Sequence, residues 1–108
     1  ISMNQKTLMR PNIELLDKAI AIIEKHPENW SKEYWHDGSK HNLAGHIHLI
    51  VNNFPYNCVF GLYTTHHTAD VARVALNLTI EDAKELFWSE TITDIKRIRN
   101  RLNRLAEK

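Results

Sequence analysis

From His41 to Ala69 the chain carries no Asp, Glu, Lys or Arg, although a quarter of all its residues are charged. A solvated segment of that length would be expected to carry its share of charge, so this one is expected to be buried, liganded, or both. The same stretch holds five of the seven histidines, the single cysteine Cys58, and the glycines Gly45 and Gly61. Pro55 adds a turn. Any site in this protein is therefore expected here or along the edges of this run.

A chain of 108 residues is one domain's worth and buries roughly two thirds of its unfolded surface, enough for one small core. That domain is expected over residues 3–108, with Ile1-Ser2 ahead of Met3 read as a cloning remnant and Met3 as the native start. One cysteine excludes an internal disulfide, so nothing demands an oxidising compartment. The first apolar run begins only near Ile13, which argues against a signal peptide. The charge-free run is too rich in Asn, His and Thr to span a bilayer. A soluble, cytoplasmic protein with no membrane partner is expected. The net charge of +1 conceals a gradient, because residues 95–108 contain six basic residues against the one acid Glu107.

Helical periodicity dominates the rest. Ile13, Leu16, Ile20 and Ile23 recur at helical spacing, opened by Pro11-Asn12 and stopped by His26-Pro27. Residues 28–39 read as a loop or short helical turn, with turn chemistry at Asp37-Gly38-Ser39. Leu43, Ile47, Ile50 and Phe54 mark a second helix over about 40–53, and Gly45 within it points to close approach by another backbone. Residues 59–63 look strand-like, but without an evident partner they read as a packed loop. A third helix around Val71–Leu76 is expected to start at a cap near Thr68 and end at Asn77. Thr79-x-x-Asp82 and Thr91-x-x-Asp94 are capping-box variants that open two more helices. Ala83, Leu86 and Phe87 face inward on one, and Ile95, Ile98, Leu102 and Leu105 on the other. The expected fold is all-α, a compact single-domain bundle of about five helices.

The histidines raise metal binding first. His36, His41 and His46 are spaced by five, and five residues turn a helix by about 500°, so such rings diverge. Helical metal sites use pairs three or four apart, and none exists among the seven. A site assembled from loops would draw on Asp37, His41, His66 and His67, holding a divalent metal with hydrolysis as its chemistry. The alternative is that each ring caps a helix, bonds a carbonyl or packs half-buried. The adjacent His36-Asp37 is similar to the paired His-Asp of the all-helical HD metal-dependent phosphohydrolases, with His26 and Asp70 as nominees for the remaining ligands. That family carries its pair on a helix, whereas Gly38 breaks one here. Cys58 lies among apolar neighbours, where thiols are mostly inert. No nucleophile elbow or phosphate-binding loop is present, so no catalytic residue is assigned.

Two surfaces remain. Residues 70–88 have a helix-turn-helix rhythm, but the would-be recognition helix carries Glu81, Asp82 and Glu85 against Lys84, which would repel phosphates. On the last helix Arg97, Arg101, Arg104 and Lys108 share one face, suited to nucleic acid or an acidic partner, or simply to solvent and the negative end of the helix dipole. Phe87-Trp88 at a helix end suits a protein-binding anchor.

The chain resembles a group of small uncharacterised helical proteins from bacteria and phages. Their centre reads Trp, a short gap, then C-G-T-x-x-C-x-A-G, matched here by Trp35 and by Asp37 to Gly45. Their C-terminal half reads A-x-x-L-G-L-T-x-x-E-A-x-x-L-F, matched by Ala72 to Phe87. The group's two cysteines fall on Asp37 and Asn42, so whatever those thiols do in relatives is absent or reworked here. The resemblance implies a shared scaffold and brings no activity with it. The function expected is binding, to another protein or to a second copy, through Phe87, Trp88 and the arginine stripe. Metal binding by the histidines and nucleic-acid binding by the last helix are the alternatives.

Overall fold

A computed structural model of the chain describes residues 10–63 and 66–106, with the backbone alone for residues 61–63 and 66. Among these lie five α-helices, α1 (Ile13–Lys25), α2 (Leu43–Val51), α3 (His66–Leu76), α4 (Ile80–Phe87) and α5 (Ile92–Ala106). Three short strands accompany them, β1 (His36–Gly38), β2 (Lys40–His41) and β3 (Phe60–Tyr63), with one 3-10 turn at Pro27–Asn29. The fold is a compact, mainly helical bundle. None of the described helices is long and apolar enough to cross a membrane.

Four of the five described helices begin where a side chain takes over an orphaned backbone donor. Asn12 Oδ1 accepts from Leu15 N–H, Asn42 Oδ1 from Gly45 N–H, and the Thr79 and Thr91 hydroxyls from Asp82 and Asp94 N–H. Asn77 ends α3 in a left-handed conformation, φ 55°, which Asn tolerates better than most residues. The second helix starts later than its periodicity suggested, because Lys40 and His41 are paired in β2 and Asn42 is spent as the cap. Phe54 and Val51 are consequently exposed at or past its end. The third helix starts earlier, at His66, and Thr68 is buried within it rather than capping it.

Apolar stripes of all five helices meet in one core. Leu16, Ile20 and Ile23 of α1 pack with Leu43 and Ile47 of α2, Leu76 of α3, Leu86 of α4 and Ile98 and Leu102 of α5. Each such fully buried side chain is worth about 1.5–3 kcal/mol over the exposed state. Leu105, expected inward, is exposed instead. Between helices, Arg99 forks onto Asp17 of α1 at 2.8 and 2.9 Å, and Arg101 reaches Asp82 and Glu85 of α4 at 3.1 and 2.6 Å.

The sheet is the part that periodicity missed. Residues 60–63, read as a packed loop, form a strand whose partner is β1, itself inside the segment read as loop. The order is β2-β1-β3, antiparallel throughout, with an irregularity between His36 and Gly38. Gly38 at φ +62° makes the tight turn of the β1–β2 hairpin, a backbone conformation that favours glycine. Asn29 donates its side-chain amide to the Ser39 carbonyl at 2.8 Å and ties that turn to the 3-10 segment. Residues 41–47 are all buried, but the expectation does not hold along the whole uncharged run, since residues 51–55, 57 and 59 are exposed where the chain leaves α2 and crosses the surface to β3.

Candidate functional site: a buried histidine cluster and an apolar cleft

The hairpin places His36 opposite His41, and the start of α2 lies directly beneath. The result is a cluster of four imidazoles. His36 Nδ1 lies 2.7 Å from His41 Nδ1, and His36 Nε2 lies 2.9 Å from His48 Nδ1. His46 Nε2 sits 3.0 Å from the Asn29 carbonyl oxygen, so this nitrogen carries the proton and donates. The His41 and His46 rings are 5.3 Å apart and nearly perpendicular. Phe60 stacks on His36 at 4.2 Å and closes the cluster from the β3 side.

His36, His41 and His46 are 2, 0 and 1% exposed, and among the described residues no carboxylate is bonded to any of them. Burial therefore opposes the imidazolium form. It pushes His36 down to about 4, helped by repulsion from His41, His48 and His46. It pushes His46 down to about 4 as well, with repulsion from His41 adding and the Asn29 carbonyl opposing. His41 is lowered by burial and partly restored by the Cys58 main chain, and His48 is lowered by burial and then by His67. The cluster is neutral at pH 7. Among the described residues, His46 Nδ1 is buried without a hydrogen-bond partner, and the outer nitrogen of His41 has only the Cys58 main chain near it.

Of the residues singled out for a loop-built metal site, three have described side chains. His41 is buried in the cluster, Asp37 is exposed next to His36 on β1, and His67 is exposed with its ring 6.1 Å from that of His48. The His66 side chain lies outside the described residues. Among the described residues no group of three or more His, Cys, Asp and Glu is arranged to hold a metal ion. The pair His36-Asp37 sits on a strand, where successive side chains point to opposite faces, unlike the helical pair of the phosphohydrolases. His26 is far from this use, stacked on Tyr56 at 3.9 Å. At the two positions where the resembling group carries cysteines, Asp37 is exposed and Asn42 caps α2.

Separation in sequence hid the cluster. His36, His41 and His48 follow no helical ligand spacing, since two of them are on strands and the third on a helix. His46 and His48 do face different sides of α2, yet His36 and His41 bridge those sides and bring both into one cluster. The signal available was the Asp37-Gly38-Ser39-Lys40 turn, since a two-residue hairpin loop at Gly38-Ser39 sets 36 against 41.

A second feature lies between α3 and α4. A cleft of about 300 Å³ is walled by Trp35, Ile80, Ala83, Phe87 and Trp88, with Asp70, Arg73 and Lys84 at its edge. Phe87 is buried and contributes only to the cleft floor, whereas Trp88 is 61% and Ile80 63% exposed. The Trp88 ring leans on Trp35 at 5.5 Å, which in turn meets Phe87 edge-on at 6.4 Å. Of the basic stripe of α5, one arginine is firmly engaged within the protein. Arg101 is held by Asp82 and Glu85, and Arg97 lies 3.9 Å from Asp94. Arg104 is exposed in the last turn, and Lys108 lies outside the described residues. Acids this close would oppose a phosphate backbone at the same face. No protein family, curated protein or solved structure matches the chain.

Proposed function

We propose that this protein is a small helical interaction domain, and that its contact surface is the cleft between α3 and α4 with Trp88 at its lip. The observation that carries this reading is the exposed Trp88 beside an apolar recess. A large aromatic side chain is supported from behind by Trp35 and left open to solvent next to a hollow that accepts one or two side chains. Tryptophan in such a setting is the residue type most often found to dominate an interface. The edge carries both signs, Asp70 against Arg73 and Lys84. A surface with a projecting ring, a receiving hollow and mixed charge complements itself across a two-fold axis. The partner it fits is therefore a second copy of this chain.

Sedimentation of the 108-residue chain over a range of concentrations tests the reading. A reversible dimer is expected, weakened about 30-fold or more by Trp88→Ala, the loss of about 2 kcal/mol that a central tryptophan supplies. Lys84→Glu is expected to weaken it further at low salt than at high salt. A chain that stays monomeric at every concentration, or a dimer indifferent to Trp88→Ala, would refute this partner and this surface together.

A further inference from the structure

We propose that His48 Nε2 is an acyl-accepting nucleophile, which takes the acyl group of small neutral activated esters and passes it to water. The site is independent of the cleft. The buried end of the imidazole chain sets the direction of every proton in it. The Cys58 main chain beside His41 favours the protonated ring, as a carbonyl acceptor does, so the outer nitrogen Nε2 carries the hydrogen. In the neutral ring His41 Nδ1 is then a lone pair, and it accepts from His36 Nδ1–H at 2.7 Å. His36 Nε2 is left to accept from His48 Nδ1–H at 2.9 Å. Reversing any one of these bonds would set two hydrogens or two lone pairs against each other. His48 Nε2 is accordingly a bare lone pair on the far side of its ring. The residue is half-buried, whereas His36 and His41 are fully buried. Among the described residues no hydrogen bond engages this nitrogen, and it is not one of the buried unpartnered atoms.

Attack by an imidazole needs a neutral ring, a free lone pair and an open approach. Burial, then repulsion from His67, lowers the pKa of His48, so its ring is neutral at pH 7. Donation of the Nδ1 proton to His36 raises the basicity of the far nitrogen, as it does for metal-binding histidines. The attack forms a bond from Nε2 to the acyl carbon and breaks the bond to the leaving oxygen, which departs with the electron pair. The acylated ring keeps its Nδ1 proton and is cationic. That proton cannot drain inward, because the last shift along the chain would make His41 an imidazolium at 0% exposure. A cationic acyl-imidazole is itself a strong acyl donor. Water therefore displaces the acyl group, a carboxylic acid and a proton are released, and the neutral ring returns. Phe60 lies 6.2 Å from His48, and Phe54, 46% exposed, lies 5.9 Å from Phe60. They form an apolar shelf beside the nucleophile. All three residues fall in the run without lysine, arginine or carboxylate, which offers no local charge to a phosphoryl group. The donor that fits is a neutral ester with an apolar acyl or aryl part.

The test uses the purified chain and p-nitrophenyl acetate as the probe. Histidine ring-nitrogen NMR comes first, because it needs no variant. His48 is expected as the neutral Nδ1–H tautomer at pH 7, the minor one of free histidine. Acid-quenched protein is then digested and its adducts mapped by mass spectrometry, with the acetyl group expected on His48 ahead of the more exposed His67. His48→Gln, whose amide can still donate to His36, is expected to slow nitrophenol release by at least about tenfold, and His67→Gln by less than about twofold. A His48 ring protonated on Nε2, alone or together with Nδ1, at pH 7 would overturn the site. So would acetyl on His67 or lysines alone, or a His48→Gln rate equal to that of the unsubstituted chain.

Discussion

At the scale of the single residue, Gly45 shows how a sequence hint becomes a contact. A glycine inside an apolar helix implies that another backbone comes near, and the structure identifies it. A Cβ built on Gly45 would lie 1.9 Å from the Trp35 carbonyl oxygen, a main-chain atom that cannot swing aside. Gly45→Ala is therefore expected to destabilise the protein by about 1–3 kcal/mol or more despite the better helix propensity of alanine, read as a lower urea midpoint. The histidines were legible in a different degree. The burial of His41 and His46 followed from their uncharged surroundings, whereas His36 lies outside that run and His67 within it is exposed, and the mutual bonding did not follow at all, because imidazole pairing depends on atoms brought together from β1, β2 and α2. Trp88 and Phe87, adjacent in sequence, alike in chemistry and lining the same cleft, differ in exposure, with Phe87 buried and Trp88 open to solvent. Only Trp88 is available to a partner.

At the scale of the element, caps were the most readable features. Thr79 and Thr91 each accept the backbone N–H three residues on, as their spacing to Asp82 and Asp94 indicated. Asn42 is the instructive exception, since it caps α2 inside a buried segment where no water can substitute. Asn42→Ala is expected to cost about 1–2 kcal/mol, at the upper end for an N-cap, because the Gly45 N–H is left unsatisfied in the interior. Asn42→Asp should retain most of that stability, and chemical denaturation of the two variants separates capping from packing. The strands were the least readable elements. Residues 60–63 have strand-forming side chains, but a strand exists only where a partner supplies hydrogen bonds. That partner was two or three residues of β1, too short to show a period of its own. The arginines of α5 were placed correctly on one face, but the acids of α4 that occupy Arg101 belong to another helix.

At the scale of the whole molecule, the neutral cluster ties folding to pH. In the unfolded chain the histidines titrate near 6.5, whereas in the folded protein His36 and His46 are held down to about 4. Below pH 6.5 the unfolded state binds more protons, so stability falls as pH falls. The contribution is complete above the unfolded value and is lost progressively toward the folded one. Urea unfolding of metal-free protein at about pH 7.5 and about pH 4.5 should differ by a few kcal/mol. A flat profile would mean that the rings are not buried as neutral groups. Asp17, lowered chiefly by its hydrogen bonds to Arg99, adds a small loss in the same direction at still lower pH.

The amino-acid order by itself determined the helices, the caps at Thr79 and Thr91, the inward faces of most helices, and the burial of the first part of the uncharged run. These are local matters, settled by propensity, by a side chain's reach to a backbone three residues away, and by the cost of removing charge from water. Tertiary structure alone decided the sheet, the bonding among His36, His41, His46 and His48, and which aromatic at the end of α4 faces solvent. Each of these depends on how separate elements are set against one another, and in the sheet a shift of one residue in β1 would turn His36 outward and Asp37 in. No pattern within one segment encodes that register. It comes from packing all of them around one core at once.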